Sequence, residues 1–168
     1  EKQRERFEKY GATTRMTELA RATPTPLVVG APMGVPRGGV WHLTNSAALL
    51  DAGGTVTTRY NKLHLVPFGE FVPFESVAPW LRDVLPPIGN FVPGHEATVF
   101  RGVAPVPFSV LVCFEDIFPD LARRFVRQGA RLLATITNDA WFGKTAAAYQ
   151  HAQASTFRAV ELRVPMVR

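Results

Sequence analysis

The segment over residues 108–119 constrains the fold of this chain more than any other. Its apolar run at residues 110–112 ends at Cys113, the only cysteine among the 168 residues. Pro119 favours the first turn of a helix, because a residue at that position needs no intrahelical N–H partner. A buried strand followed by a turn and a helix is typical of α/β folds. The segment therefore predicts an α/β domain in which a lone thiol lies at the end of a core strand.

The remaining apolar pattern predicts a layered α/β domain with mixed sheet order. Apolar residues at helical spacing predict helices over residues 1–21, 119–128 and 144–164, the last with Phe157, Val160 and Val164 on one face. Apolar or β-branched runs predict strands over residues 27–31, 40–50, 55–60, 99–100, 108–112 and 131–137. Glycine and proline predict turns at residues 32–39 and 51–54, the second of which joins two antiparallel strands.

Residues 74–98 form a region of their own, in which four prolines alternate with large apolar side chains. Their spacing predicts a long loop with a short helix near residues 77–85. A loop this apolar packs against a neighbour or contacts an apolar surface.

Composition limits the possible partners. The 19 basic and 14 acidic residues give a net charge of +5 that is spread along the chain, which predicts a solvated basic surface. Such a surface favours anionic lipid and, more weakly, nucleic acid. We expect no nucleic-acid partner. No apolar run reaches the roughly 18 residues of a membrane span. The chain begins inside a helical pattern and stops where an apolar strand begins, so we expect a fragment of a longer protein.

Cys113 has two interpretations. A lone cysteine at a strand end is commonly a small buried apolar residue. Here Glu115 and Asp116 follow immediately, where the chain leaves the predicted sheet and where α/β folds place catalytic groups. The helix that begins at Pro119 would also favour a thiolate through its dipole. These features favour a nucleophile.

Lys62 and Glu70 are the second pair of candidates. In isolation they would be solvated surface charges, but Phe68, Phe71 and several prolines surround them in the sequence. A lysine held rigidly can stabilise an oxyanion or lower the pKa of a thiol, and a nearby carboxylate can orient the lysine or move protons.

Residues 138–143 follow the strand predicted after Cys113. Asn138 is either a helix cap or part of a site, and Trp141 is either packed or part of a rim that closes over the thiol. The four histidines are scattered without the spacing of metal ligands, and neither a phosphate-binding loop nor a dinucleotide fingerprint is present. We therefore expect no metal and no cofactor.

Several blocks of the sequence together resemble bacterial apolipoprotein N-acyltransferases. They are YNK at residues 60–62, HLVPFGEFVP at 64–73, CFE at 113–115, TNDAWFG at 137–143, YQH at 149–151 and RAVELR at 158–163, with a proline at 165. The resemblance covers roughly residues 27–168. It implies a nitrilase-like four-layer α-β-β-α sandwich with mixed sheets, incomplete at both ends, over residues 1–168, with the flanking transmembrane regions outside this chain.

The resemblance also implies roles for individual residues. It makes Cys113 the nucleophile, Lys62 the lysine of a Glu-Lys-Cys triad, Glu70 an additional active-site glutamate and Glu115 the glutamate two positions after the nucleophile. The substrate side would be formed by Trp141, Phe68, Phe71 and Asn138. No residue of this chain matches the glutamate of the triad, and Glu1 lies in a different context, so we expect the fragment alone to be inactive.

The implied activity is acyl transfer from a phospholipid, through a cysteine thioester, to the N-terminal diacylglyceryl-cysteine of a lipoprotein. The implied setting is the bacterial inner membrane, with the domain on the periplasmic face, membrane contact through flanking segments and a monomeric enzyme. One alternative is a soluble carbon-nitrogen hydrolase that uses the same cysteine and lysine on a small amide. A second alternative is an inactive interaction module, which the joint presence of Lys62, Glu70 and Cys113 disfavours.

Overall fold

The computed structural model describes residues 12–74, 77, 80 and 89–168. The first sheet is antiparallel and contains β1 (Leu27–Arg37), β2 (Val40–Leu50) and β3 (Val56–Asn61) in that order. The second sheet is parallel and contains β4 (Phe108–Val112), β5 (Leu132–Ile136) and β6 (Met166–Val167) in that order. The helices are α1 (Ala12–Ala22), α2 (Pro119–Arg127) and α3 (Ala147–Leu162), with two short 3-10 helices at Cys113–Ile117 and Asp139–Phe142.

The four-layer arrangement expected from the resemblance is confirmed. Helix α1 lies against the first sheet, the two sheets face each other through β2 and β4, and α2 and α3 lie on the other side of the second sheet. All five side chains of β4 are buried, as expected for a strand that is covered on both faces. This explains why residues 110–112 form an apolar run without alternation, while the buried Ser109 hydroxyl donates to the carbonyl oxygen of Thr98.

Strand β1 is longer than the sequence indicated. The turn predicted at residues 32–39 is wrong, because β1 pairs with β2 without interruption from Leu27 opposite Leu50 to Arg37 opposite Val40. Only Gly38 and Gly39 form the turn, both at positive φ. The prolines at 32 and 36 are accommodated because β1 is an edge strand, where a residue without an N–H is tolerated.

Most of the other predicted elements are confirmed with small shifts of their ends. The strand predicted at residues 99–100 is reduced to a single bridge between Phe100 and Phe108. Helix α3 is shorter than predicted, because Arg163 adopts a left-handed conformation and ends it. The shared face predicted for Phe157, Val160 and Val164 is therefore wrong, since the first two are exposed and Val164 is buried beyond the helix.

Two predictions lie mostly outside the described residues. These are the helix over residues 1–21, of which residues 12–22 are described, and the short helix near residues 77–85, of which only Val77 and Trp80 are described. Within the described part of the chain, no helix is long and apolar enough to cross a bilayer.

Candidate active site

Cys113 lies where the sequence placed it, directly after β4 and at the start of the first 3-10 helix. Its backbone has a φ of +55°, a conformation that is strained for a residue with a Cβ. The residue is partly exposed, whereas all five residues of β4 are buried. The turn thus presents the thiol at the end of a fully packed strand.

Glu115 fixes this turn to the first sheet. Its side chain is completely buried, and one carboxylate oxygen, Oε1, accepts hydrogen bonds from the Tyr60 hydroxyl at 2.8 Å and from the backbone N–H groups of Leu63 at 2.8 Å and His64 at 3.1 Å. The other oxygen accepts from the N–H of Val112 at 2.9 Å. Four donors therefore converge on one carboxylate.

The ionisation of this cluster follows from its burial. Desolvation raises the pKa of Glu115, although the hydrogen bonds from Val112 and His64 oppose that shift. Desolvation also raises the pKa of the Tyr60 hydroxyl well above its ordinary range, and the negative charge of Glu115 adds to the effect. Tyr60 therefore remains a hydrogen-bond donor to Glu115.

This geometry gives Glu115 a positioning role. Two of its donors, Leu63 and His64, directly follow Lys62, and a third, Val112, directly precedes Cys113. One carboxylate thus holds the backbone next to the candidate lysine and the backbone next to the candidate thiol. Three of these bonds are to Oε1 and one is to Oε2.

Lys62 and Glu70 form a buried ion pair. The Lys62 side chain is 1% exposed and that of Glu70 is 13% exposed, and Nζ donates to Oε2 at 2.7 Å. Glu70 also accepts from the N–H of Val66 at 2.8 Å and from the side-chain amide of Asn45 at 2.6 Å. Among the described residues, Glu70 is the one side-chain partner of the ammonium group, which has three N–H donors. Glu70 therefore orients the Lys62 ammonium group.

The two aromatic candidates in this loop differ in exposure. Phe68 has a φ of +59° and a largely exposed ring, while Phe71 is partly buried and its carbonyl accepts from the N–H of Phe68 at 2.9 Å. The tight turn that they close leaves Glu70 facing Lys62 and leaves Phe68 facing solvent.

Trp141 lies on the second 3-10 helix, and Asn138 directly precedes that helix. The Asn138 side chain accepts from the N–H of Ala140 at 3.1 Å, so it is a helix cap, one of the two roles considered for it. Trp141 is 87% exposed, so it is not packed. An indole this exposed is unusual on a folded domain and is available to a ligand.

Sequence reasoning missed three side chains that organise the site. Tyr60 and Asn45 hold Glu115 and Glu70, and His151 bonds Asp116 and Asp139. Tyr60 belonged to a quoted motif but received no role. The acidic residues after two neighbouring strands were the available signal for His151. Over the described residues, no group of three or more His, Cys, Asp or Glu side chains is arranged to hold a metal ion.

A strained thiol at a strand end, connected through Glu115 to the segment of a glutamate-bound lysine, is the arrangement that defines the site. Residues 8–168 match the model of the carbon-nitrogen hydrolase family, and the chain belongs to that family.

Curated relatives of the chain include bacterial apolipoprotein N-acyltransferases. The chain is 47% identical over 156 residues to the apolipoprotein N-acyltransferase of Geobacter metallireducens, a match that covers 92% of this chain and 30% of the relative. It is 35% identical over 164 residues to the enzyme of the same name from Chlorobaculum tepidum, covering 86% and 31%. The chain thus spans about a third of the length of these relatives.

Solved structures share the fold. A Saccharomyces cerevisiae member of branch 10 of the nitrilase superfamily aligns with a TM-score of 0.63 at 20% identity, covering 92% of this chain and 49% of that one. A mutant amidase of the nitrilase superfamily from Nesterenkonia aligns with a TM-score of 0.59 at 24% identity, covering 94% and 52%. At these identities the likeness supports the fold and not the substrate.

Proposed function

We propose that this chain is catalytic-domain sequence of an apolipoprotein N-acyltransferase. The observation that carries the proposal is the buried Lys62–Glu70 pair, which Glu115 ties to the strained turn of Cys113. The similarity to enzymes of that name, at up to 47% identity, supports the substrate class.

In the proposed first step, the Cys113 thiolate attacks the ester carbonyl of a phospholipid acyl chain. A carbon–sulfur bond forms, and the Lys62 ammonium stabilises the tetrahedral oxyanion. The carbon–oxygen bond then breaks, and the leaving alcohol of the lysophospholipid takes up the proton that the thiol gave up. Glu70 keeps Lys62 in place and compensates its charge. The product is an acyl thioester on Cys113.

In the proposed second step, the α-amino group of a diacylglyceryl-cysteine at a lipoprotein's N-terminus attacks the thioester. A carbon–nitrogen bond forms and the carbon–sulfur bond breaks. The Cys113 sulfur takes up the proton that the amine loses, which regenerates the free thiol. A thioester suits this transfer because amines attack it readily, and the two steps predict ping-pong kinetics.

The loop that follows Lys62 supports a lipid donor. Four of its large apolar side chains are exposed, namely Phe68, Phe74, Val77 and Trp80, and Phe74 is 75% exposed. Exposed apolar groups in such number mark a surface that contacts something apolar. A small polar amide would make no use of them, whereas a donor with acyl chains would.

The partners in this proposal are a phospholipid donor and a diacylated apolipoprotein acceptor, without a cofactor, a metal or a nucleic acid. The proposed location is the bacterial inner membrane, with this domain on the periplasmic face and membrane contact through segments that flank it. We propose that the enzyme acts as a monomer.

The test uses the protein at its natural full length in membrane vesicles, with a phospholipid labelled in its acyl chain and a synthetic diacylated lipopeptide. We expect label to move to the lipopeptide amine in the wild type and in the matched control Arg127→Ala, an exposed residue on α2. Cys113→Ala should show no transfer. A wild type that hydrolyses small amides but transfers no acyl group would instead identify a carbon-nitrogen hydrolase.

A further inference from the structure

A second buried polar cluster lies behind the turn that carries Cys113, and the proposed acyl transfer does not use it. Asp116 is completely buried, and its Oδ1 lies 2.8 Å from Nε2 of His151. Its Oδ2 accepts from the Ser155 hydroxyl and lies 3.7 Å from Nη1 of Arg168. All of these partners come from α3 or from the segment that follows it. They therefore contact the 3-10 helix of Cys113 on the side of the second sheet that faces away from the first sheet.

Asp139 occupies the corresponding place on the other 3-10 helix, two residues before Trp141. Its Oδ1 lies 3.0 Å from Nδ1 of His151, and its Oδ2 accepts from Nη2 of Arg168 at 2.8 Å. Slight burial acts to raise the pKa of Asp139, but the hydrogen bonds from His151 and Thr137 and the charge of Arg168 outweigh it, so the pKa is lowered. The carboxylate is therefore stabilised in its charged form.

His151 thus has one ring nitrogen on each turn. A carboxylate oxygen accepts hydrogen bonds, so Nε2 is the donor to Oδ1 of Asp116 in the 2.8 Å bond. Nδ1 lies 3.0 Å from Asp139 and 2.7 Å from Nη2 of Arg168, so it either donates to the carboxylate or accepts from the guanidinium. In both arrangements the rigid imidazole fixes the distance between the two turns.

Aromatic packing repeats the same connection. Phe114 follows Cys113, and its ring centroid lies 6.2 Å from that of His151. Phe142 follows Trp141, and its ring centroid lies 5.7 Å from that of His151. The histidine is itself buried. One side chain therefore bonds and packs against the immediate surroundings of the thiol and of the exposed indole.

We propose that His151 is a positioning residue, which fixes the position of the Trp141 turn relative to the Cys113 turn. The indole of Trp141 then forms one wall of the site for the substrate bound at the thiol. The substrate part of this inference rests on the proposed function. The mechanical part does not, because it concerns only the connection between two turns of the fold.

Hydrogen exchange of the full-length protein tests the mechanical part. In His151→Gln the side-chain amide can replace Nε2 towards Asp116 but not Nδ1 towards Asp139, and in His151→Asn the reverse holds. We expect His151→Gln to speed exchange about tenfold over residues 138–143, the factor for one lost hydrogen bond to a charged group, while residues 113–117 stay within about twofold. His151→Asn should speed exchange over residues 113–117 instead.

Asp139→Ala provides a second route, because Asp139 is partly exposed and its loss leaves Asp116 paired. This variant should reproduce the faster exchange of residues 138–143, and adding His151→Gln to it should produce no further change there. Faster exchange confined to α3, or additive effects of the two changes, would show that His151 only stabilises its own helix and would overturn the proposal.

Kinetics of acyl-enzyme formation test the substrate part. His151→Gln should raise KM for the phospholipid about tenfold and change kcat less than about threefold, because a wall binds substrate without touching the reacting atoms. Trp141→Ala should show the same pattern, and the double variant should be no worse than either single variant. An unchanged KM with a reduced kcat would overturn this part. If the wild type formed no acyl-enzyme, the proposed function would fail while the exchange data still decided the role of His151.

Discussion

The interior of the candidate site and its rim are built in opposite ways. In the interior, Glu115 and Glu70 are each bound by several donors, and Lys62 is almost completely buried. At the rim, Phe68 and Trp141 expose most of their aromatic surface. The groups that we propose for the reaction are thus fixed by hydrogen bonds, whereas the groups that we propose for contact with an acyl chain are left unpacked. Substitutions in the two regions should therefore separate stability from substrate binding.

The largest effect is expected at Glu115. Replacing it by alanine leaves four buried donors without their acceptor, and we expect a loss of roughly 4 kcal/mol in the free energy of unfolding, at the severe end for one substitution. Urea unfolding followed by circular dichroism measures it. Glu96→Ala is the matched control, because Glu96 is exposed, and it should change stability by less than about 0.5 kcal/mol. An equally small change in stability for Glu115→Ala would contradict the positioning role of Glu115.

Lys62 separates chemistry from folding within the interior. Lys62→Met keeps the apolar stem, and Glu70 retains its bonds to Asn45 and Val66, so the fold should survive. We expect acyl-enzyme formation to fall at least about a hundredfold, as for the loss of an oxyanion donor. Rapid-quench measurement with labelled phospholipid determines the rate. Pairing the change with Glu70→Gln should restore any lost stability but not the rate; recovery of the rate would remove Lys62 from the chemistry.

Substitutions at the rim should leave the stability of the fold almost unchanged. Trp141→Ala and Phe68→Ala should change the free energy of unfolding by less than about 0.5 kcal/mol, because neither ring is packed. Phe68→Gly should be about 1 kcal/mol more stable than Phe68→Ala, since residue 68 has a positive φ. Urea midpoints decide both points. A large loss of stability in either alanine variant would mean that the rim is part of the core.

The stability contributed by Asp139 should depend on pH. The pKa of Asp139 is lowered from 3.8 in the folded protein, so the unfolded state binds the proton more readily as the pH falls. The stability contributed by Asp139 is therefore present above about pH 4 and is lost as the pH falls further, by roughly 1 kcal/mol or less for a partly exposed group. Asp139→Asn should show a shallower loss of stability between pH 5 and pH 3. If the free energy of unfolding fell equally steeply with pH in both proteins, groups other than Asp139 would be responsible for the acid sensitivity.

The parts of this structure that depend on local pattern were predictable from the sequence. The continuous apolar run of β4 identified the strand and placed Cys113 at its end, because a strand that is buried on both faces requires such a run. The prolines of β1 misled the prediction, since only the edge position of the strand makes them acceptable.

The connections inside the site were not predictable in the same way. The donors to Glu115 from Tyr60, Leu63 and His64 are more than fifty residues away along the chain, and no local period encodes them. His151 belonged to the YQH block but received no role, because its two carboxylate partners come together only when neighbouring strand ends and α3 are assembled. Residue identity indicated the candidates, but tertiary packing decided which of them position the others.

The position of the acyl group tests the central claim most directly. Full-length protein is incubated with phospholipid in the absence of acceptor, quenched at low pH to preserve the thioester, digested and examined by mass spectrometry. We expect one acyl group, labile to hydroxylamine, on the peptide that contains Cys113. This acyl group should be absent from the Cys113→Ser variant. An acyl group of the same lability that survives this substitution, or one carried on another residue, would contradict it.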